Sequence, residues 1–101
     1  MPLSKRYLKN GRCKVTFRIT PEIGKPASRA AVVGEFNAWD PAASPMRKLK
    51  DGSFSLTMNL ESGRDYQFRY LLDDLVWEND EQPDRFVYSA HGDCDNCVIS
   101  L

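Results

Sequence analysis

Strict alternation of apolar and polar side chains is the feature that most limits what this chain can fold into. Phe54, Leu56, Met58 and Leu60 alternate with Ser53, Ser55, Thr57 and Asn59. A strand sends successive side chains to opposite faces, so this segment reads as a half-buried strand. The same period recurs where Tyr66, Phe68, Tyr70 and Leu72 are set against Gln67, Arg69 and Leu71. It recurs again where Val15, Phe17 and Ile19 are set against Lys14, Thr16 and Arg18. No segment carries a sustained helical period.

Turn signals separate these runs. Thr20 to Ser28 holds two prolines and a glycine and reads as a loop, followed by a strand over Arg29 to Phe36. Met46 to Leu49 reads as a short strand ending at Asp51-Gly52, a hairpin signal. Glu61 to Asp65 turns the chain, and Asp73-Asp74 turns it back into Val76 to Glu78. Asn79 to Arg85 is a polar loop containing Pro83, and short strands are expected at Phe86 to Tyr88 and Cys97 to Leu101. About seven short strands in one domain of 101 residues predict an all-β, immunoglobulin-like antiparallel β-sandwich. The Cys-Trp-Cys spacing of antibody domains is missing, and residues 1–12 read as a loose N-terminal segment.

Composition narrows the function. The 14 basic and 14 acidic side chains cancel, and the pI is about 6.6. That balance speaks against a nucleic-acid partner, which calls for a basic stripe, and against a polybasic membrane anchor. No apolar run approaches the ~20 residues that cross a bilayer, and the N-terminus lacks the apolar stretch of a signal peptide. Three cysteines, an odd number, fit a reducing compartment, so a cytoplasmic location is expected.

Trp39 stands in a turn, among residues seldom buried. It either folds back to cap one end of the sandwich or offers a flat indole face on a loop. An exposed indole suits the C–H face of a glucose ring, since stacking removes apolar area from water. Trp77, after the Asp73-Asp74 turn, is a second such ring. Arg69 faces outward by alternation and is either a solvated strand charge or a planar donor fork for hydroxyl groups. Asn96, at the opening of the last strand, is either a turn residue or an amide that bonds vicinal hydroxyls.

Catalysis and metal binding find less support. Asp73, Asp74, Glu78, Asp80, Glu81 and Asp84 crowd into turns and read as a solvated acidic rim. A glycosidase needs two carboxylates at a set separation across the scissile bond, so no catalytic residue is assigned. His91, Cys94 and Cys97 offer three metal ligands, with Cys13 as a conceivable fourth, but no second pair at familiar spacing. Cys97 alternates with Ile99 and Leu101 and is read as core; no metal or cofactor is expected.

The segments G-E-F-N-A-W-D-P, D-G-S-F, Y-Q-F-R-Y-L-L-D-D-L-V-W and D-N-C-V-I, in that order, resemble carbohydrate-binding module family 48. That family includes the glycogen-binding domain of the AMP-activated protein kinase beta subunit and the amino-terminal sandwich of isoamylases and glycogen branching enzymes. The resemblance spans Arg29 to Leu101, with Cys13 to Ile19 as the family's first strand. It implies non-catalytic binding of α-1,4-linked glucan such as glycogen or a maltooligosaccharide. Trp39 and Trp77 match the family's stacking tryptophans and Asn96 its asparagine, while Arg69 stands where glycogen-binding members usually have lysine. The implied role is targeting itself, or a partner such as a glycogen-metabolism enzyme or kinase, to glycogen. The turn before Trp77 is one residue longer than in the kinase subunit. An extra residue placed in the strand turns Trp77 to the opposite face; one taken up by the turn leaves it in place. The rival reading is a protein-interaction or homodimerisation module that keeps the fold without the sugar.

Overall fold

The computed structural model describes residues 3–80, 83–89 and 94–101, with the backbone alone for residues 89, 94 and 95. Among the described residues, nine strands form two antiparallel sheets. The first sheet runs in the order β1 (Leu3–Tyr7), β2 (Arg12–Ile19), β5 (Phe54–Glu61), β4 (Arg47–Lys48). The second runs β3 (Ala30–Gly34), β6 (Asp65–Leu72), β9 (Cys94–Ser100), β8 (Arg85–Ser89), with β7 (Val76–Glu78) also on β6. Helix among the described residues is confined to single turns, Pro21–Gly24 and a 3-10 turn at Glu35–Asn37. This is the all-β sandwich that the alternation predicts.

The alternating residues supply the inner faces. Val15, Phe17 and Ile19 pair with Met58, Leu56 and Phe54, and this sheet faces Tyr66, Phe68, Tyr70 and Leu72 of β6. The Phe17 and Phe68 rings meet edge to face, centroids 5.1 Å apart, which joins the two sheets at their centre. Cys13 and Cys97 are buried free thiols; Cys97 lies in the core as its alternation predicts. Burial pushes the Cys97 thiol up to about 11, so it stays protonated at neutral pH.

Three readings need correction. Leu3–Tyr7 is not a loose segment but an edge strand paired with β2 from Leu3↔Phe17 to Tyr7↔Cys13. Its alternation is faint because only Leu3 is buried; Lys5, opposite Val15, instead reaches across to the second sheet. The β3 strand stops at Gly34, where the backbone enters the 3-10 turn. The acidic rim is not uniformly solvated, since Asp80 is 3% exposed. Its carboxylate accepts a hydrogen bond from the Tyr70 hydroxyl at 2.6 Å inside the sandwich. Burial, together with the Asp80 charge, drives the Tyr70 phenol far above its ordinary range.

Strands β3 and β1, at two of the sheet edges, are tied down. Beside β3, Ser44 O accepts Val32 N–H and Ala30 O accepts Met46 N–H, at 3.1 and 2.8 Å. On the opposite side, Lys5 Nζ donates to Asp84 Oδ2 at 2.6 Å and to Ser100 O at 3.0 Å, linking β1 to the second sheet. Burial raises the Asp84 pKa, but the hydrogen bonds from Lys5 and from Ser100 N–H outweigh it and hold the group below 3.8. A carboxylate depressed on folding stabilises the protein above its unfolded pKa and loses that contribution as pH falls through the folded value. Asp84→Asn is therefore expected to lower the thermal midpoint at pH 7, by up to about 5 °C. The deficit relative to the parent should shrink as pH falls through the folded-state titration of Asp84, below the ordinary aspartate range. Thermal unfolding of both proteins at several pH values checks this.

Candidate functional site

The Gly34 to Asp40 segment is locked from several sides. A Cβ on Gly34 would meet Gln67 O at 2.5 Å and Phe68 Cβ at 2.8 Å, so only glycine lets the end of β3 lie this close to β6. Glu35 Oε1 accepts Gln67 N–H at 2.7 Å. The Phe36 ring packs inward against Phe17 and Tyr66. Asn37 folds back, accepting Gly34 N–H and donating to Val32 O and Ser44 Oγ, all within 3.0 Å. Ala38 and Trp39 both take left-handed backbone conformations, φ 57° and 59°, which cost non-glycine residues roughly 1–2 kcal/mol each. The Trp39 N–H donates to Gly34 O at 2.9 Å, pinning the strained turn to the strand end. Its neighbours' side chains serve the fold, yet the Trp39 indole remains 38% exposed.

The β6–β7 hairpin decides which face Trp77 takes. Asp73 and Asp74 have φ of 52° and 59°, as in a type I′ turn, and Leu75 N–H donates to Leu72 O at 3.0 Å. Asp73 Oδ1 also accepts the N–H groups of Ser28 and Arg29, and Arg29 pairs with Asp74. Strand pairing resumes at Leu72↔Val76, leaving Leu75 outside the register and 82% exposed. Leu75 is thus taken up by the turn and not by strand β7. Trp77 therefore stands opposite Leu71, on the same outer face of the second sheet as Arg69.

That face carries more than the indole. Ala31, Val33 and Leu71 make a small apolar cluster on it. The Arg69 guanidinium carbon lies 5.4 Å from the Trp77 ring centroid, and Arg69 Nε donates to Asn79 Oδ1 at 3.2 Å. Asn96 is not a turn residue at the start of the last strand. It lies within β9 opposite Val87, 6% exposed, and donates to Gln67 Oε1 at 3.1 Å. Because Val98 pairs with Gln67, Asn96 shares the outer face with Gln67 and Arg69. Arg69, Trp77 and Asn96 are thus brought together on one sheet face, and Trp39 sits in the loop beyond Gly34. The partners Gln67 and Asn79 were missed. Gln67 shares the alternation phase of Arg69 and was legible; nothing in the sequence marks Asn79.

Metal ligation falls partly outside the described residues, since His91 and the Cys94 side chain are not among them. Among the described residues, no three His, Cys, Asp or Glu side chains group as metal ligands. No helix among them is long and apolar enough to cross a membrane.

The fold and face define a β-sandwich with one aromatic, polar-edged outer surface. Sequence comparison gives partial relatives. The 1,4-alpha-glucan branching enzyme GlgB of Photobacterium profundum is 49% identical over 43 residues, 42% of this chain and 6% of that enzyme. The 1,4-alpha-glucan branching enzyme GlgB 2 of Xanthomonas campestris pv. campestris is 39% identical over 49 residues, 48% of this chain and 7% of that enzyme. The chain thus matches less than a tenth of the length of either relative. No family model matches the chain. The similarity supports the branching-enzyme side of the resemblance; the kinase-subunit side rests on the motifs alone.

The hairpin register gives a direct test in a Trp39→Phe background, where Trp77 is the sole indole. Deleting Leu75 should leave the fluorescence maximum of Trp77 unchanged, because Val76 still meets Leu72. Inserting alanine between Val76 and Trp77 should shift it, because a one-residue slip turns the indole to the opposite face.

Proposed function

We propose that this chain is a non-catalytic α-glucan-binding module that stacks glucose units on Trp39 and Trp77. The observation that carries the reading is Trp77, a residue 42% exposed, with Arg69 and Asn96 on the same sheet face. A partly exposed indole offers a glucose C–H face an apolar surface, and neighbouring guanidinium and amide groups suit vicinal hydroxyls. The Trp39 loop, held in a strained conformation with its ring 38% exposed, supports a second platform. The partial similarity to enzymes named for 1,4-alpha-glucan points to the same polymer. The role is targeting, bringing the chain or an attached or associated enzyme of glycogen metabolism, or a kinase, to glycogen.

The acids support a binding rather than a catalytic role. Asp80, the buried carboxylate among the described residues, is turned inward to Tyr70. Asp73, Asp74 and Asp84 are engaged by backbone N–H groups or cations. A second reading draws on β8, at an edge of the second sheet, where Phe86 and Tyr88 are exposed. Such an edge suits strand addition from a protein partner or a second copy.

Titration with maltoheptaose or β-cyclodextrin, followed by intrinsic tryptophan fluorescence, separates the two. The glucan reading expects saturation with a Kd of about 10 μM to 1 mM, weak because a shallow face buries little area. Trp39→Ala and Trp77→Ala should each weaken binding by about tenfold or more while leaving the fold intact. No saturable change up to about 10 mM sugar contradicts the reading and favours the protein-interaction module.

A further inference from the structure

The departure of Arg69 from the expected lysine has a partner in the structure. Arginine has no acceptor, so the amide of Asn79 must turn its oxygen to Arg69 Nε, at 3.2 Å. The same guanidinium lies 5.4 Å from the Trp77 ring centroid, within cation–π range. One planar group thus bonds an amide through Nε while lying against an indole. A lysine ammonium, a single point on a flexible stem, lacks this forked geometry.

Asn79 itself stands on a clamped base. The next residue, Asp80, is buried; its carboxylate accepts the Tyr70 hydroxyl at 2.6 Å and its N–H donates to Cys97 Sγ at 3.2 Å. Tyr70 belongs to β6 and Cys97 to β9, so the backbone just beyond Asn79 is held to two strands of the second sheet. Tyr70 is also the neighbour of Arg69, its side chain inward where that of Arg69 is outward.

We infer that Asn79 is a positioning residue for the sugar platform. Anchored through Asp80, it fixes the Arg69 fork and through it the orientation of the Trp77 ring before any ligand arrives. This inference rests on the glucan reading for its purpose, but the ordering of Trp77 is a property of the free protein. Pre-ordering matters because immobilising a long side chain on binding weakens affinity, by roughly threefold to tenfold per side chain.

The experiment uses the full chain carrying Trp39→Phe, so that Trp77 alone fluoresces. Acrylamide quenching of the free protein should rise in Asn79→Ala toward the level of Arg69→Ala, and Asn79→Asp, which keeps an acceptor, should restore the parent value. Arg69→Lys breaks the same bond from its other end, and in that background Asn79→Ala should add nothing. This second route also serves if Asn79→Ala alone fails to fold. Maltoheptaose affinity should fall about threefold to tenfold in Asn79→Ala at an unchanged unfolding midpoint. Quenching that is the same in parent, Asn79→Ala and Arg69→Lys overturns the inference. If the protein with both tryptophans gives no sugar response but the quenching pattern holds, the positioning stands and the glucan reading alone falls.

Discussion

The structure hangs on the register of β6. That strand pairs with β3 along one edge and with both β9 and β7 along the other. Its four inward residues, Tyr66, Phe68, Tyr70 and Leu72, meet the opposite sheet, and burying them is the main apolar gain of the second sheet. Once they point inward, strand geometry turns Gln67, Arg69 and Leu71 outward. The partner registers then bring Val33, Trp77, Val98 and Asn96 onto that outer face. A core requirement thus determines which residues form the candidate site.

Loops adapt to that register. The Asp73-Asp74 turn leaves Leu75 unpaired so that Trp77 keeps its face, and Asp73 fastens the turn to the backbone at Ser28 and Arg29. Beyond β3, the Asn37 side chain bonds backbone groups at Gly34 and Val32, which lets the chain leave the strand abruptly. Left-handed residues at Ala38, Trp39, Asp73 and Asp74 are local costs that this bonding offsets. Trp39 lies in one such turn and Trp77 follows the other. They are held in place by the scaffold while their rings remain partly open to solvent.

Period-2 alternation made β2, β5 and β6 readable from the sequence because each turns one apolar face toward the core. β1 was hidden because an edge strand can be held by ladder hydrogen bonds and one cross-sheet lysine, with a single buried apolar residue. Asp80 was misread because its burial depends on Tyr70 and Cys97, ten and seventeen residues away in the chain. Asn96 was set at the opening of the last strand because β9 begins earlier, at Cys94, through residues whose polarity resembles a loop. The outward position of Arg69 was legible; its contacts with Asn79 and Trp77 required the three-dimensional hairpin.

The central claim is that the outer face of the second sheet, and not that of the first, receives sugar. The most direct measurement is a two-dimensional amide and indole NMR titration of the isotope-labelled protein with maltoheptaose. The account predicts saturable shifts at Gln67, Arg69, Leu71, Trp77 and Asn96 and at the Trp39 indole, with Lys14, Thr16, Thr57 and Asn59 on the opposite face unmoved. Shifts centred on β2 and β5, or no saturable shift at all, would contradict it.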